Sequence, residues 1–333
     1  MRGRLPASLA RAALGLARGT SLALLALSAL PAQAQNYPSH SVRVVVPQSA
    51  GGPSDTLGRL VAKNLTDILG QSFVVDNRPG AGGQLGTELV AKSPPDGYNV
   101  VVTIVGSMAI DQTLFPKIHY HMLTDLAPVG LLAASSLTLV AHPSLPVKSL
   151  KELIEYAKSG KHVNVGSAGN GTVMHLSLEL LNKDAGIKLN HVPYKGAAPA
   201  MNDLLGGFVQ MAFVGTPAAV PMVQQGRLKG IATTGMKRSA QLPDVPTMLE
   251  DGLKDFDVEN VYGLWAAGGT PKAVIEVLSA ATRKMVASPE YGKKLEVLGF
   301  EARSSTSEEL DKMERAEINK WAPLIKSIGL VME

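Results

Sequence analysis

Short β-branched runs alternate with stretches of helical periodicity along nearly the whole chain, and this alternation restricts the fold more than any other feature. Val42-Arg43-Val44-Val45-Val46 reads as a strand that stops at Pro47. The apolar positions Leu57, Leu60, Val61, Leu65, Ile68 and Leu69 then follow helical spacing up to Gly70. Further units are predicted as strand 73–75, helix 84–92 and strand 98–105, the last apolar on both faces as a covered central strand should be. A second series starts at Thr138-Leu139-Val140-Ala141, with a capping box at Ser149-Leu150-Lys151-Glu152. It continues through strand 162–166, helix 172–184, strand 189–194, helix 198–206, strand 209–214, helix 218–225 and strand 228–235. An extended run 256–267 and two helices, 271–287 and 306–328, complete the chain.

Repeated strand–helix units call for α/β sheets with helices on both faces. The series is too long for one compact sheet and lacks eightfold regularity. Two lobes joined by extended segments near 130–141 and 257–268 fit it. The predicted organisation is residues 1–34 as a signal peptide, 35–137 with 259–333 as a discontinuous first lobe, and 138–258 as the second.

The leader reading rests on Arg2, Arg4, Arg11 and Arg18, the apolar run 22–30 and the small residues of Ala32-Gln33-Ala34, with cleavage expected after Ala34. The chain has 32 basic and 28 acidic residues, and those four arginines account for the whole +4 excess. Without them the charge balances, so the basic pI implies no nucleic-acid partner. The chain has no cysteine, which removes disulfides, thiolate chemistry and Cys-ligated metal. An exported, periplasmic protein is expected, monomeric, without metal or cofactor.

Three Gly/Ser/Thr-rich segments follow predicted strands. They are Gln48 to Asp55 (with Ala50, Gly51, Gly52 and Ser54), Gly106-Ser107-Met108, and Gly166-Ser167-Ala168-Gly169-Asn170-Gly171-Thr172. Ligands of open α/β sheets bind at the carboxyl ends of strands, where glycines admit close approach and helix N-termini present unpaired N–H groups. Each segment is equally well explained as a tight turn with a helix cap. Asp55 and Arg59 are spaced for an i,i+4 ion pair. His175 faces the ligand or supports the loop, and Tyr194 is placed to line a cleft. Trp265 and Trp321 read as packing residues. Catalytic signatures are incomplete: Val165 stands where the hydrolase elbow G-x-S-x-G needs its first glycine, and Leu85 stands where a dinucleotide loop needs its third. A hydrolase using Ser167 and His175, or a periplasmic sensor or interaction protein, remains the alternative.

These same segments resemble the Bug-type, TctC-like receptors of tripartite tricarboxylate transporters. The resemblance rests on Val46-Pro47, Ala50-Gly51-Gly52, Asp55, Asn77-Arg78-Pro79-Gly80-Ala81-Gly82-Gly83 and Pro95-Asp96-Gly97-Tyr98. It continues in order through Ser167-Ala168-Gly169, His191-Val192-Pro193-Tyr194-Lys195-Gly196, Leu242-Pro243-Asp244-Val245-Pro246-Thr247 and Tyr262-Gly263-Leu264. It implies a two-lobed type II periplasmic-binding-protein fold, each lobe a mostly parallel sheet flanked by helices, with the ligand cleft between lobes. It also implies a small anionic ligand, a carboxylate, passed to the transporter's membrane subunits. Carried over, Ala50, Gly51, Gly52, Ser54 and Asp55 would face Ser167, Ala168, Gly169, Thr172 and His175, with Ser107, Gly215 and Thr216 nearby. Three positions depart from the family pattern. Gln48 replaces a frequent aromatic residue, Val214 a frequent strand-end acid and Val261 a frequent tryptophan, and the missing acid argues against an α-amino acid.

Overall fold

The computed structural model describes residues 37–253 and 256–332; the expected leader lies outside the described residues. Strand β1 (Val42–Val46) is a β-branched run that ends at Pro47, and helix α1 (Pro53–Leu69) follows with proline in its first turn and Gly52 as N-cap. Proline suits that position because its missing N–H would have no helical partner there. Strand β2 (Phe73–Asn77), helix α2 (Gln84–Ala91), strand β3 (Asn99–Ile104), helix α3 (Val105–Leu114) and the short helix α4 (Met122–Asp125) complete the first series. Strand β4 (Leu126–Ala141) then runs for 16 residues.

The second series is helix α5 (Leu150–Lys158), strand β5 (Asn164–Ser167), helix α6 (Val173–Ala185), strand β6 (Asn190–Pro193) and helix α7 (Ala197–Leu205). It closes with strand β7 (Met211–Gly215), helix α8 (Thr216–Gln224) and strand β8 (Lys229–Thr233). The chain returns through strand β9 (Glu259–Ala267), helices α9 (Lys272–Val286) and α10 (Pro289–Val297), strand β10 (Glu301–Ala302) and helix α11 (Ser307–Ser327).

The strand order β2-β1-β3-β9-β4-β7-β5-β6 makes a mixed, two-lobed α/β fold whose two sheets share β4. Residues 126–136 of β4 pair with β9, and residues 137–141 pair with β7 and β8. The outer strands are parallel, as in β2-β1-β3 and β7-β5-β6. The pairs involving β4 and β9 are antiparallel, which corrects the expectation of mostly parallel sheets. β9 enters from β8 of the second sheet with no helix described between them, so no right-handed crossover fixes its direction.

The core follows from these strands. Val44, Val45, Val46, Val100, Val101 and Val102 are fully buried in the first sheet. Val140, Leu204, Ala212 and Val214 form the centre of the second. Trp265 and Trp321 are buried packing residues, as expected.

Two sequence readings require correction. Strand 138–141 is only the end of β4, because the small and apolar stretch 126–137 carries no turn signal of its own in the structure. Gly106-Ser107-Met108 is not a loop but the first turn of α3. A Cβ at Gly106 would stand 3.0 Å from both Glu317 Oε2 and Val173 Cγ2, so the glycine serves close packing rather than a turn. Helices α3 and α10 were not anticipated.

Candidate functional site

Three helix N-termini meet at one cavity. From α1 come Gly52, Pro53 and Ser54; from α6 come its N-cap Thr172 with Val173 and Met174; from α7 comes Ala197. Gln48, Ser49, Ile104, Ala168 and, on β9, Asn260 and Tyr262 complete the wall. The space measures about 380 Å³ with its mouth included. No residue of this wall carries a formal charge at neutral pH. Burial pushes the Tyr262 hydroxyl up to about 12, against the influence of Ser54, Ser135 and Asn260, so it stays protonated. Helix N-termini add partial positive charge to the wall.

The two sides touch through glycine backbones. Gly82, at φ +67°, sits so close to Asn170 that a Cβ would lie 2.0 Å from its carbonyl oxygen. Gly196, at φ +131°, is packed on Ser49, whose Oγ would be 2.3 Å from an added Cβ. Side chains rarely adopt such φ values, so both positions need glycine twice over. The Ser107 hydroxyl accepts a 3.4 Å hydrogen bond from the Val173 N–H, another contact between the two sides.

Of the residues singled out from sequence, Gln48, Gly52, Ser54, Ala168 and Thr172 line the cavity. The others do not line it. Asp55 accepts from the Gly51 N–H at 2.9 Å and pairs with Arg59 at 3.0 Å. Burial would raise its pKa, but Arg59, Gly51 and Asn77 outweigh that and hold it below the usual range. Asp55 therefore braces the loop that carries Ala50 and Gly51, both of which are exposed.

In the second half, Ser167 Oγ lies 2.6 Å from His191 Nε2 and accepts from the Gly169 N–H at 3.1 Å. His175 stacks on His191 with ring centroids 3.9 Å apart, and its Nδ1 accepts from the Gly171 N–H. Burial holds the two imidazoles neutral, at about 3 for His175 and about 4 for His191. These groups brace Ala168 and Thr172 from behind. The partner of Ser167 is thus His191 and not His175. Ser167 is 1% exposed, so the geometry gives no support to a hydrolase built on Ser167 and His175.

Tyr194 points away from the cavity, its hydroxyl donating to Asp203 at 2.7 Å. Thr216 bonds Ser136 at 2.8 Å and Thr138 at 3.0 Å, and it borders a separate groove. Gly215 caps α8 and lies near Pro53 and Asn260 without lining the cavity. Val214 is core. Sequence reasoning missed Ser49, Met174, Ala197, Asn260 and Tyr262. Ser49, inside the segment Gln48 to Asp55, and Ala197, just after Gly196 at a predicted helix start, carried a local signal.

The separate groove is larger, about 1340 Å³ with its mouth included. It is lined by Lys237, Arg238, Asp257, Glu259, Glu301 and Arg303, among others. Arg303 pairs with Glu259 and Glu301, and Arg238 with Glu250. Its charges are largely spent on one another. The smaller cavity, with uncharged polar groups aimed into it, is the better-formed site.

Residues 57–330 match the family model of the tripartite tricarboxylate transporter family receptor, TctC. Three solved structures are close. The periplasmic binding protein BugD is 36% identical, covering 89% of this chain and 100% of that one, with a TM-score of 0.85. Rpa4515 of R. palustris, solved with adipate, is 32% identical over 89% of this chain and 99% of its own, also at 0.85. MatC from Rhodopseudomonas palustris, with bound malate, is 33% identical over 87% and 100%, at 0.83. These are binding proteins, not enzymes. With a receptor model matched over residues 57–330 and a fold shared with BugD over 89% of its length, the chain belongs to the Bug/TctC family of tripartite tricarboxylate transporter receptors.

Proposed function

We propose that this protein is a periplasmic receptor that captures a small carboxylate and presents it to the membrane subunits of a tripartite tricarboxylate-type transporter. The observation that carries this reading is the convergence of the α1, α6 and α7 N-termini on a cavity with no charged side chain in its wall. Such a site stabilises an anion through N–H dipoles and hydroxyls, which need no counter-charge when the cleft is empty. The carboxylates bound by Rpa4515 and MatC support the ligand class.

The lobes of this reading are 35–137 with 259–333 and 138–258, the change-over coinciding with the switch of β4's partners at Leu137. The Gly82–Asn170 and Gly196–Ser49 contacts belong to the closed form. Ligand stabilises that form by binding both sides at once, since it shifts conformers only by its differential affinity for them. The protein acts as a monomer after export and cleavage behind Ala34.

Thermal unfolding of the exported protein against small carboxylates, with neutral sugars as controls, tests the proposal. Ligand at about 1,000 times its dissociation constant adds about 4 kcal/mol, which moves the midpoint by several degrees. Ligand-free protein that responds to no acid would overturn the reading. Uptake of the identified acid by cells lacking this receptor, restored on its return, tests the transport role.

A further inference from the structure

Asn260 stands apart in the cavity wall. It is 0% exposed, it lines the cavity from β9, and neither its Oδ1 nor its Nδ2 completes a hydrogen bond among the described residues. The Tyr262 hydroxyl interacts with the amide but leaves both of its ends short of a closed hydrogen bond. A buried primary amide brings two donor hydrogens and an accepting oxygen, and leaving both ends unmade is costly. A buried carboxamide of this kind is paired in most folded proteins.

We infer that Asn260 is a specificity residue that reads a hydroxyl on the ligand, so that the favoured cargo is a hydroxycarboxylate. The inference rests on the carboxylate-receptor reading above and deepens it. Three groups are the common neighbours of a carboxylate in small acids, and they differ in what they offer. A second carboxylate only accepts, so it suits Nδ2 and sets its lone pairs against Oδ1. An ammonium only donates, so it suits Oδ1 and opposes Nδ2. A hydroxyl does both, and it meets the amide in either orientation. The surroundings agree. The other polar groups of the wall carry no charge to hold a second carboxylate, and Val214 leaves no carboxylate to receive an ammonium. Sites that hydrogen-bond a substrate hydroxyl reject the analogue lacking it, because their own polar groups are then left unpaired.

The test is titration calorimetry of the exported protein with two matched sets: malate, succinate and aspartate, and lactate, propionate and alanine. Within each set, the carbon skeleton is constant and one carbon carries OH, H or NH₃⁺. The expected result is that the hydroxy acid of at least one set binds about tenfold or more tighter than its deoxy partner. Asn260→Ala should reduce that ratio to within about threefold, and Asn260→Asp should shift preference toward the ammonium member. Asn260→Ser, which keeps a hydroxyl in the wall, serves if the alanine variant does not fold. Binding of the acids without a hydroxyl preference, or a preference unchanged in Asn260→Ala, overturns this inference and leaves the receptor reading intact. Binding of no acid in either set, or in a wider carboxylate panel, overturns both.

Discussion

The cavity and the charged groove both draw on β9, with Asn260 and Tyr262 lining one and Glu259 the other. The groove has over three times the volume and all of the formal charge, yet its arginines are tied to Glu250, Glu259 and Glu301. The cavity has neither size nor charge, but its loops are braced from behind, and Ser49 Oγ and the Asn260 amide have no hydrogen-bond partner among the described residues. A small anion is better served by fixed dipoles than by mobile cations. Fixed dipoles need no neutralising partner and lose no side-chain freedom when the ligand arrives.

The strongest way to break this comparison is to prop the cavity open. Gly82→Ala would place a methyl against the Asn170 carbonyl and strain a φ of +67°. Carboxylate affinity should fall by about a hundredfold or more as the closed form becomes scarce. Secondary structure, read by circular dichroism, should persist. Unchanged affinity would show that the Gly82–Asn170 contact is not needed for binding.

Acid attacks the support behind the cavity next. His175 and His191 are held neutral in the fold, at about 3 and about 4, against an ordinary value of 6.5. Their contribution is therefore full above pH 6.5 and is lost as pH falls from there toward the folded values. At pH 5 each costs about 2 kcal/mol relative to pH 8. Denaturant midpoints measured from pH 8 to pH 4 should fall steeply in the native protein and less so in His175→Gln.

Loss of the α6 cap sharpens the contrast further. Thr172 Oγ1 accepts from the His175 N–H at 3.3 Å and donates to the Gly169 carbonyl at 2.7 Å. Thr172→Ala should cost about 1 kcal/mol of stability and weaken carboxylate binding several-fold, by unfolding and calorimetry. The smallest effect belongs to the groove. Arg303→Ala removes a half-exposed pair and should change stability by under about 1 kcal/mol and affinity by less than about twofold. A larger loss of affinity would make the groove part of the binding machinery.

The parts legible in the sequence are those governed by local rules. β1, α1 and the α6 cap followed from β-branching, proline placement and a threonine before an apolar stripe. The Asp55–Arg59 pair followed from spacing alone. Asn260 and Met174 were invisible because nothing local marks them, and Tyr262 stood in a family motif without a place in the site. Asn260 and Tyr262 reach the cavity only because β9 returns from the second sheet to pair between β3 and β4, and Met174 because α6 starts there. Ser167 was legible, but its partner was not. The histidine four residues into the helix cap looked nearer than His191, which the parallel pairing of β5 and β6 brings alongside.

The return of β9 also sets an order of assembly. The second sheet draws on residues from 137 to 233 and has its partners in hand before residue 259 is made. The first sheet does not: β3, a run of Asn99-Val100-Val101-Val102-Thr103-Ile104, waits for residues 262–266 to cover its inner edge. A chain cut short before β9 would expose that apolar edge to other chains, the arrangement that seeds aggregation. Early termination would therefore leave a well-paired second half attached to a sticky first half. The C-terminal quarter of the molecule would then cover an aggregation-prone edge as well as completing the cavity wall.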